Sequence, residues 1–226
     1  MTNLEGKIAL ITAAKGGLGS AVTNTFLQAG ARVIGVSRSI QPGDFNHPNF
    51  TAMPADVNSL DAARRLVSAA LAQFERIDAV VHVMGGFAGG QSVADTDDAT
   101  MEKMLELNFR AAFHMLRAVI PQMRAQNYGR IVVVASRQGI EPSATLSAYN
   151  ASKAALVSLV KTVALENKDA GITANTVLPG GMATPSNQGP NLIPTGQVAS
   201  LMAYLASDEA GSVTGAAIPV YGTQLS

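Results

Sequence analysis

Tyr149 and Lys153 stand one helical turn apart in Tyr149-Asn150-Ala151-Ser152-Lys153, and Ser136 lies upstream of both. Residues four apart on a helix share a face, so the Lys153 ammonium can lie beside the Tyr149 phenol. A free tyrosine titrates at about 10. A nearby cation favours the phenolate and draws that value toward neutrality. Such a tyrosine can give a proton to a carbonyl oxygen, or take one from an alcohol, near neutral pH. Ser136 follows Ile131-Val132-Val133-Val134-Ala135, a run that reads as a buried strand. It falls at the strand's C-terminal end, where open α/β sheets place their sites. Tyr-x-x-x-Lys alone also occurs on surface helices that do no chemistry.

The amino terminus supplies a second element. Lys7-Ile8-Ala9-Leu10-Ile11-Thr12 reads as a strand, Ala13-Ala14-Lys15-Gly16-Gly17-Leu18-Gly19 as a turn, and Ser20 to Ala29 as a helix. A strand, a glycine-rich turn and a helix N-terminus make a phosphate cradle, because backbone amides and the helix dipole both favour an anion. The turn is the first βα connection, where a dinucleotide fold needs it.

These segments together resemble the short-chain dehydrogenase/reductase family, in order and over nearly the whole chain. Thr12 to Gly19 is similar to its Thr-Gly-x-x-x-Gly-x-Gly cofactor loop, and Asp56-Val57 to its adenine-binding pair. Asn108 matches its helix asparagine, and Ser136, Tyr149 and Lys153 match its catalytic set. Asn175-Thr176-Val177-Leu178-Pro179-Gly180 and Thr184 match its Asn-x-x-x-Pro-Gly segment and the threonine that follows. The resemblance implies that Ser136 polarises a substrate oxygen and Tyr149 transfers the proton as hydride passes. It implies that Lys153 lowers the tyrosine pKa and holds the nicotinamide ribose, with Asn108 anchoring a water behind it. It assigns cofactor contacts to Thr12, Ala14, Lys15, Gly17, Leu18, Gly19, Gly85, Pro179, Gly180, Met182 and Thr184. The chain departs from the family twice. Ala13 replaces the first loop glycine, and His82-Val83-Met84-Gly85 stands where Asn-Asn-Ala-Gly is usual. An alanine at a position needing φ > 0 costs on the order of 1 kcal/mol.

Cofactor choice is read at the end of the second strand. An acidic residue there would bind ribose hydroxyls and repel a 2′-phosphate. Val36-Ser37-Arg38-Ser39 carries none. Ser37 can donate a hydrogen bond, Arg38 can pair with a phosphate, and Lys15 adds a second charge. This favours NADP(H) over NAD(H), although Arg38 and Lys15 also fit a solvated surface. Asp56 is expected to accept from the adenine amino group. Arg137 can attract an anionic substrate group or simply face solvent.

Strands and helices alternate throughout, which predicts a parallel sheet covered on both faces. Strands are expected at 7–12, 31–36, 50–53, 77–84, 130–135, 172–178 and 216–220. Helices are expected at 18–29, 59–74, 100–126, 147–169 and 196–207. Pro121 should kink or shorten the fourth-strand-following helix 100–126. The right-handed crossover rule then favours a doubly wound, Rossmann-like seven-stranded sheet of order 3-2-1-4-5-6-7, in one domain spanning 1–226. The stretch 180–195 carries Pro185, Pro190 and Pro194, so it is not a helix; it is either a clipped substrate lid or a plain surface loop.

The 226 residues suit one α/β domain, and a hydrophobic fraction of 47% supplies its core. Formal net charge is +0 with no basic stripe, so neither nucleic acid nor an anionic membrane is expected as partner. Neither a long apolar run nor a secretory signal stands out, and the absence of cysteine fits a cytoplasmic enzyme. The three histidines, His47, His82 and His114, lack metal-ligand spacing, and His82 reads as a hydrogen-bonded core residue. Met101, Met104, Leu105, Ala155, Val163 and Ala164 read as apolar outer faces of helices 100–126 and 147–169, which predicts a homodimer or homotetramer. The expected partner is a small-molecule carbonyl or alcohol. Two other readings stand beside it: reduction of a C=N or C=C bond, suggested by the Gly85–Gly90 loop, and a non-catalytic nucleotide-binding sensor or scaffold.

Overall fold

Strand β5 (Gly129–Val134) shows how the sheet is built. Ile131 and Val133 enter one apolar layer, while Val132 and Val134 enter the other. A strand covered on both faces reads as a continuous apolar run rather than an alternation. This computed structural model describes residues 2–222, so residue 1 and residues 223–226 of the expected domain lie outside the described residues. It joins β5 to β1 (Ile8–Thr12), β2 (Arg32–Ser37), β3 (Phe50–Pro54), β4 (Ala79–His82), β6 (Ile172–Pro179) and β9 (Ala217–Val220). All six pairings are parallel, and the order is β3-β2-β1-β4-β5-β6-β9. This is the expected doubly wound sheet. Its last strand is ninth because β7 (Met182–Ala183) and β8 (Ile193–Pro194) form a separate short parallel pair.

Helices α1 (Gly17–Gln28) and α6 (Thr195–Leu205) pack on one face of the sheet. Helices α2 (Leu60–Phe74), α4 (Ala111–Ala125) and α5 (Ser147–Glu166) cover the other. Ser59 starts α2 by accepting a hydrogen bond from the Ala62 amide at 3.2 Å, the usual serine N-cap. Among the described residues no helix is long and apolar enough to cross a membrane.

The expected helix over 100–126 is three pieces. Asp97 caps α3 (Asp98–Leu105) by accepting from the Thr100 amide at 2.7 Å. A π-helical stretch follows, Glu106–Arg110, and then α4. Pro121 does not shorten α4, which continues to Ala125. Val119 and Met123 flank the proline and are fully buried, so tertiary packing holds the turn that has lost a hydrogen bond. The stretch 180–195 is non-helical as expected; its β7–β8 ladder pairs Met182 with Ile193 and Ala183 with Pro194.

One expectation about surfaces is corrected. Met104, Val163 and Ala164 are buried inside the chain's own core, not on an outer face. Helical periodicity gives a stripe but not its direction, and here these residues face the sheet and the neighbouring helix. The large apolar side chains that α4 and α5 leave to solvent, among the described residues, are Phe113 and Leu165.

The first βα turn carries the strain anticipated from the sequence. Ala13 adopts φ +51, the left-handed region that favours glycine. Its carbonyl accepts from the Gly16 amide at 2.9 Å, which fixes that conformation. Replacing Ala13 by Gly removes the Cβ clash and should stabilise the protein by about 1 kcal/mol. For a domain of this size that is a rise in Tm of about 2–4 °C. Calorimetry on Ala13→Gly checks it, and an unchanged or lower Tm would show that the turn is not strained.

Candidate active site

Three strand ends and the start of α5 converge on one edge of the sheet. Thr12 ends β1, His82 ends β4, and Ser136 lies two residues beyond the end of β5. Tyr149 and Lys153 lie on the first turns of α5. Two clefts open here and share Ala13 and Gly85. One, of about 340 Å³, is lined by Ser37, Arg38, Asp56, Val57 and Asn58. The other, of about 470 Å³, is lined by Ser136, Tyr149, Lys153, Pro179, Met182 and Thr184. Thus residues spread from 12 to 184 in the sequence face one continuous surface.

Burial governs the chemistry of the second cleft. Lys153 is 4% exposed, and burial pushes its ammonium down to about 8. Its Nζ donates to the Val134 carbonyl at 3.3 Å and stands 5.8 Å from the centre of the Tyr149 ring. Burial likewise pushes the Tyr149 phenol above its usual value, and a Ser136 hydrogen bond draws it partly back. The expected drift of the phenol toward neutrality through Lys153 is therefore not what this arrangement shows. Both groups sit in a low-dielectric wall that penalises either charge, and the ammonium is directed to a backbone carbonyl. Phe87 presses edge-on against the same ring, 5.0 Å between centroids, while itself standing open to solvent.

Asn108 lies in the π-helical stretch and is fully buried. Its Oδ1 accepts from the Gly86 amide at 2.8 Å, and its Nδ2 donates to the Gly86 carbonyl at 3.1 Å and to Ser152 Oγ at 3.0 Å. Ser152 in turn donates to the Tyr149 carbonyl at 2.8 Å. The asparagine thus pins the 85–91 loop to α5. Single-turn π-bulges often mark functional positions because they re-aim one side chain.

The first turn and its neighbours have the form of a dinucleotide cradle. A Cβ on Gly19 would lie 2.0 Å from the Ala13 carbonyl oxygen, and one on Gly17 would lie 2.9 Å from Thr184 Cβ. Only glycine lets the α1 N-terminus approach this closely. In the adenosine-sized cleft, the buried Ser37 Oγ and Asn58 Oδ1 have no hydrogen-bond partner. Orphaned polar atoms at a cleft wall are what a polar ligand would satisfy. Arg38 is exposed on the same wall, with no ion-pair partner among the described residues. The residues fit a nicotinamide dinucleotide.

Most of the residues singled out in the sequence meet here, with four qualifications. Lys15 lines neither cleft; its Nζ holds Asp44 at 3.0 Å and the Ser39 carbonyl at 3.0 Å, so its charge is already paired. Ala14 is buried beneath the turn, bonded through its amide to Val36 and through its carbonyl to Thr23. Asp56 accepts from the Asn58 amide at 3.1 Å, closing a local turn at the cleft wall. Arg137 pairs with Glu141 at 2.6 Å rather than facing solvent alone. Sequence reasoning missed Gln138, Ser152 and Asn58. Ser152 lies one helical turn from Tyr149, a spacing that was visible; Gln138 and Asn58 gave no pattern.

At the β1–β4 edge, Thr12 does the work of a connector. Its Oγ1 accepts from the amides of Val83 and Met84 at 3.1 and 3.2 Å and contacts His82 Nδ1 at 3.2 Å. With both acceptor positions taken, the hydroxyl proton goes to Nδ1, which leaves the proton of the neutral imidazole on Nε2. Burial first, then the Lys153 charge, pushes His82 down to about 3. His82 is the hydrogen-bonded core histidine the sequence called for.

Comparison with known proteins fits this geometry. A family model described as short chain dehydrogenase matches residues 7–191. The chain is similar to the short-chain dehydrogenase/reductase cdmF of Talaromyces verruculosus, with 34% identity over 96% of both chains. It is also similar to the 3-oxoacyl-[acyl-carrier-protein] reductase FabG of Vibrio cholerae, with 29% identity over 97% of this chain and 98% of that one. A crystal structure of a putative short-chain dehydrogenase/reductase from Burkholderia xenovorans superposes with a TM-score of 0.90, at 31% identity and over 98% and 97% of the two chains.

His82 makes the site's pH behaviour testable. The folded state keeps the imidazole neutral down to about 3, while the unfolded chain protonates near its ordinary 6.5. The unfolded state therefore binds the extra proton, and stability falls as pH drops from 6.5 toward 3, by up to about 1.4 kcal/mol per pH unit. His82→Asn lacks that proton and should lose stability less steeply across the same window. Denaturant titrations at several pH values measure both slopes; equal slopes would place the His82 pKa near its ordinary value.

Proposed function

The chain belongs to the short-chain dehydrogenase/reductase family, and on that premise we propose that it is an NADP(H)-dependent oxidoreductase acting on a carbonyl or alcohol substrate. The observation that carries the reading is that Ser136, Tyr149 and Lys153 line one cleft, which shares Ala13 and Gly85 with the dinucleotide cradle. Bound nicotinamide supplies or accepts the hydride. The chain's own groups manage the oxygen. In the reductive direction Tyr149 keeps its proton on Oη, because its pKa is raised, and releases it as negative charge develops on the substrate oxygen. Ser136 directs that oxygen by hydrogen bonding. Lys153 is positioned to meet the ribose hydroxyls and to oppose charge on the phenolate after transfer. Asn108 and Ser152 hold the start of α5 against the 85–91 loop, which sets the distance between phenol and substrate.

Three features support the 2′-phosphorylated cofactor. No carboxylate ends β2, the buried Ser37 Oγ lacks a partner, and Arg38 is exposed on the cleft wall. With Lys15 committed to Asp44, Arg38 is the charge left for the phosphate. Assembly into a dimer or tetramer is part of the same proposal. Its support is now Leu165, 67% exposed on α5, and Phe113, which is exposed and stacked on Phe109.

Tyr149→Phe should fold and bind NADPH yet lose about 10²–10⁴-fold in turnover. Lys153→Met should weaken cofactor binding, because its ammonium is the group placed to meet the ribose. Steady-state kinetics and cofactor titration test both, with ethyl acetoacetate, a 3-oxo ester, as the first ketone. Retained activity in a folded Tyr149→Phe variant would give the proton to another group.

Arg38→Asp should weaken NADPH binding at least about tenfold relative to NADH, the worth of one charge-assisted pair. Equal dissociation constants for the two cofactors in the unmutated protein would overturn the cofactor assignment.

A further inference from the structure

Ser136 has one proton, and the structure shows where it goes. Its Oγ donates to Gln138 Oε1 at 2.6 Å and accepts from the Gln138 amide at 3.3 Å. Ser136 is the N-cap of a short 3-10 turn, Arg137–Gly139, and Gln138 sits inside that turn. The turn packs directly against α5 beside Lys153, so the pair is held in place rather than meeting by chance in a loop. A serine whose proton is committed to an amide oxygen can only accept from anything else that approaches it. A substrate alcohol can donate to it. A substrate ketone has no proton to give and must first win the serine's.

We propose that Gln138 is a positioning residue for this reaction, acting through Ser136 by deciding which way the serine hydroxyl points. With Oε1 toward Ser136, the hydroxyl is an acceptor, suited to an alcohol. With the amide turned and Nε2 toward Ser136, the glutamine donates and the serine proton is free for a carbonyl oxygen. An amide is the side chain that can serve both arrangements, because it carries a donor and an acceptor at nearly the same place. No bond is made or broken; the exchange is of hydrogen-bond direction only. The inference rests on the oxidoreductase reading for its substrate, but the Gln138–Ser136 contact is independent of it.

Other titratable groups near the pair are Tyr149 and Lys153 on α5, Arg137 and Glu141 in and after the turn, and Tyr221 beyond β9, which lies under Arg137 at 4.8 Å. His82 reaches the site only through Lys153. None of them substitutes for the Gln138 oxygen on the Ser136 proton.

Two variants test the assignment. Gln138→Met keeps the length of the side chain but accepts the proton far more weakly, so the serine can turn to Tyr149. The Tyr149 phenol should then titrate lower, by about one pH unit for one hydrogen bond. With four tyrosines and no tryptophan in the chain, ultraviolet difference titration against Tyr149→Phe isolates the signal. The shift must vanish when Ser136→Ala is added, because the effect travels through the serine. Gln138→Glu tests the other arm. Its carboxylate can only accept, so the KM for ethyl acetoacetate should rise about tenfold at pH 7–8. It should fall back as the carboxyl protonates toward about 4.3 and becomes a donor. A glutamine that merely packs the turn would give no pH-recoverable KM. An unchanged Tyr149 titration in folded Gln138→Met, or one that persists without Ser136, overturns the inference. If no ketone is turned over by the unmutated enzyme, the oxidoreductase reading fails, and the titration still decides on Gln138.

Discussion

An ammonium group buried in an apolar wall is the constraint on which the site depends. Lys153 lies at the heart of the parallel sheet's active edge, where desolvation drives its pKa down to about 8. Burying a lysine is tolerated only where polar atoms face it and where charge can appear opposite it. The Val134 carbonyl provides the first, at 3.3 Å. A phenolate at Tyr149 would provide the second. The ammonium lies 5.8 Å from the centre of the Tyr149 ring, so a charge on either group would be felt by the other.

Such coupling works only if the distances are held. The chain fixes them with neutral hydrogen bonds rather than with ion pairs. Asn108 closes a pair of bonds with the Gly86 backbone and reaches Ser152, and Ser152 reaches the Tyr149 carbonyl. A fully satisfied polar network of this kind rigidifies without adding charge near the ammonium. The local cost is a π-helical stretch in place of regular helix at Glu106–Arg110. Regular α-helical spacing would carry the asparagine round the axis, and widening one turn re-aims it at the loop. The rest of the α3–α4 run is ordinary helix, packed on α5 and the sheet.

The strands, the glycine turn and the shared helix face of Tyr149 and Lys153 were legible because each rests on local rules, whereas the sheet order and the grouping with Ser136 also drew on the crossover rule and the family resemblance. Apolar runs mark strands, glycines mark close approach, and a spacing of four marks one helix face. The π-helical stretch was not legible, since Leu105 to Arg110 has the composition of plain helix. Nor was the direction of the apolar stripe that buries Met104 and Val163. The pairing of Lys15 with Asp44 joins residues across the β2 connection, and nothing in either neighbourhood announces it. Gln138 is legible only in three dimensions: its meaning lies in a single oxygen 2.6 Å from Ser136. What local pattern cannot give is the partner of a side chain, and partners decide charge and proton position.

The segment His82-Val83-Met84 shows how a departure from a family pattern can be absorbed. The family resemblance places amide side chains at this strand end, and here they are missing. Thr12 takes over the bracing, because one hydroxyl can accept from two backbone amides and donate once. The third bond goes to His82, which makes the imidazole part of the brace instead of a loose substitute. The exchange leaves a difference in electrostatics. An amide is neutral at every pH, whereas a histidine can charge, and a second cation here would face Lys153. Burial and that ammonium together hold the imidazole neutral. The lysine beside Tyr149 thus adds to the burial that keeps His82 neutral, and the brace keeps its hydrogen bonds as long as the imidazole stays neutral.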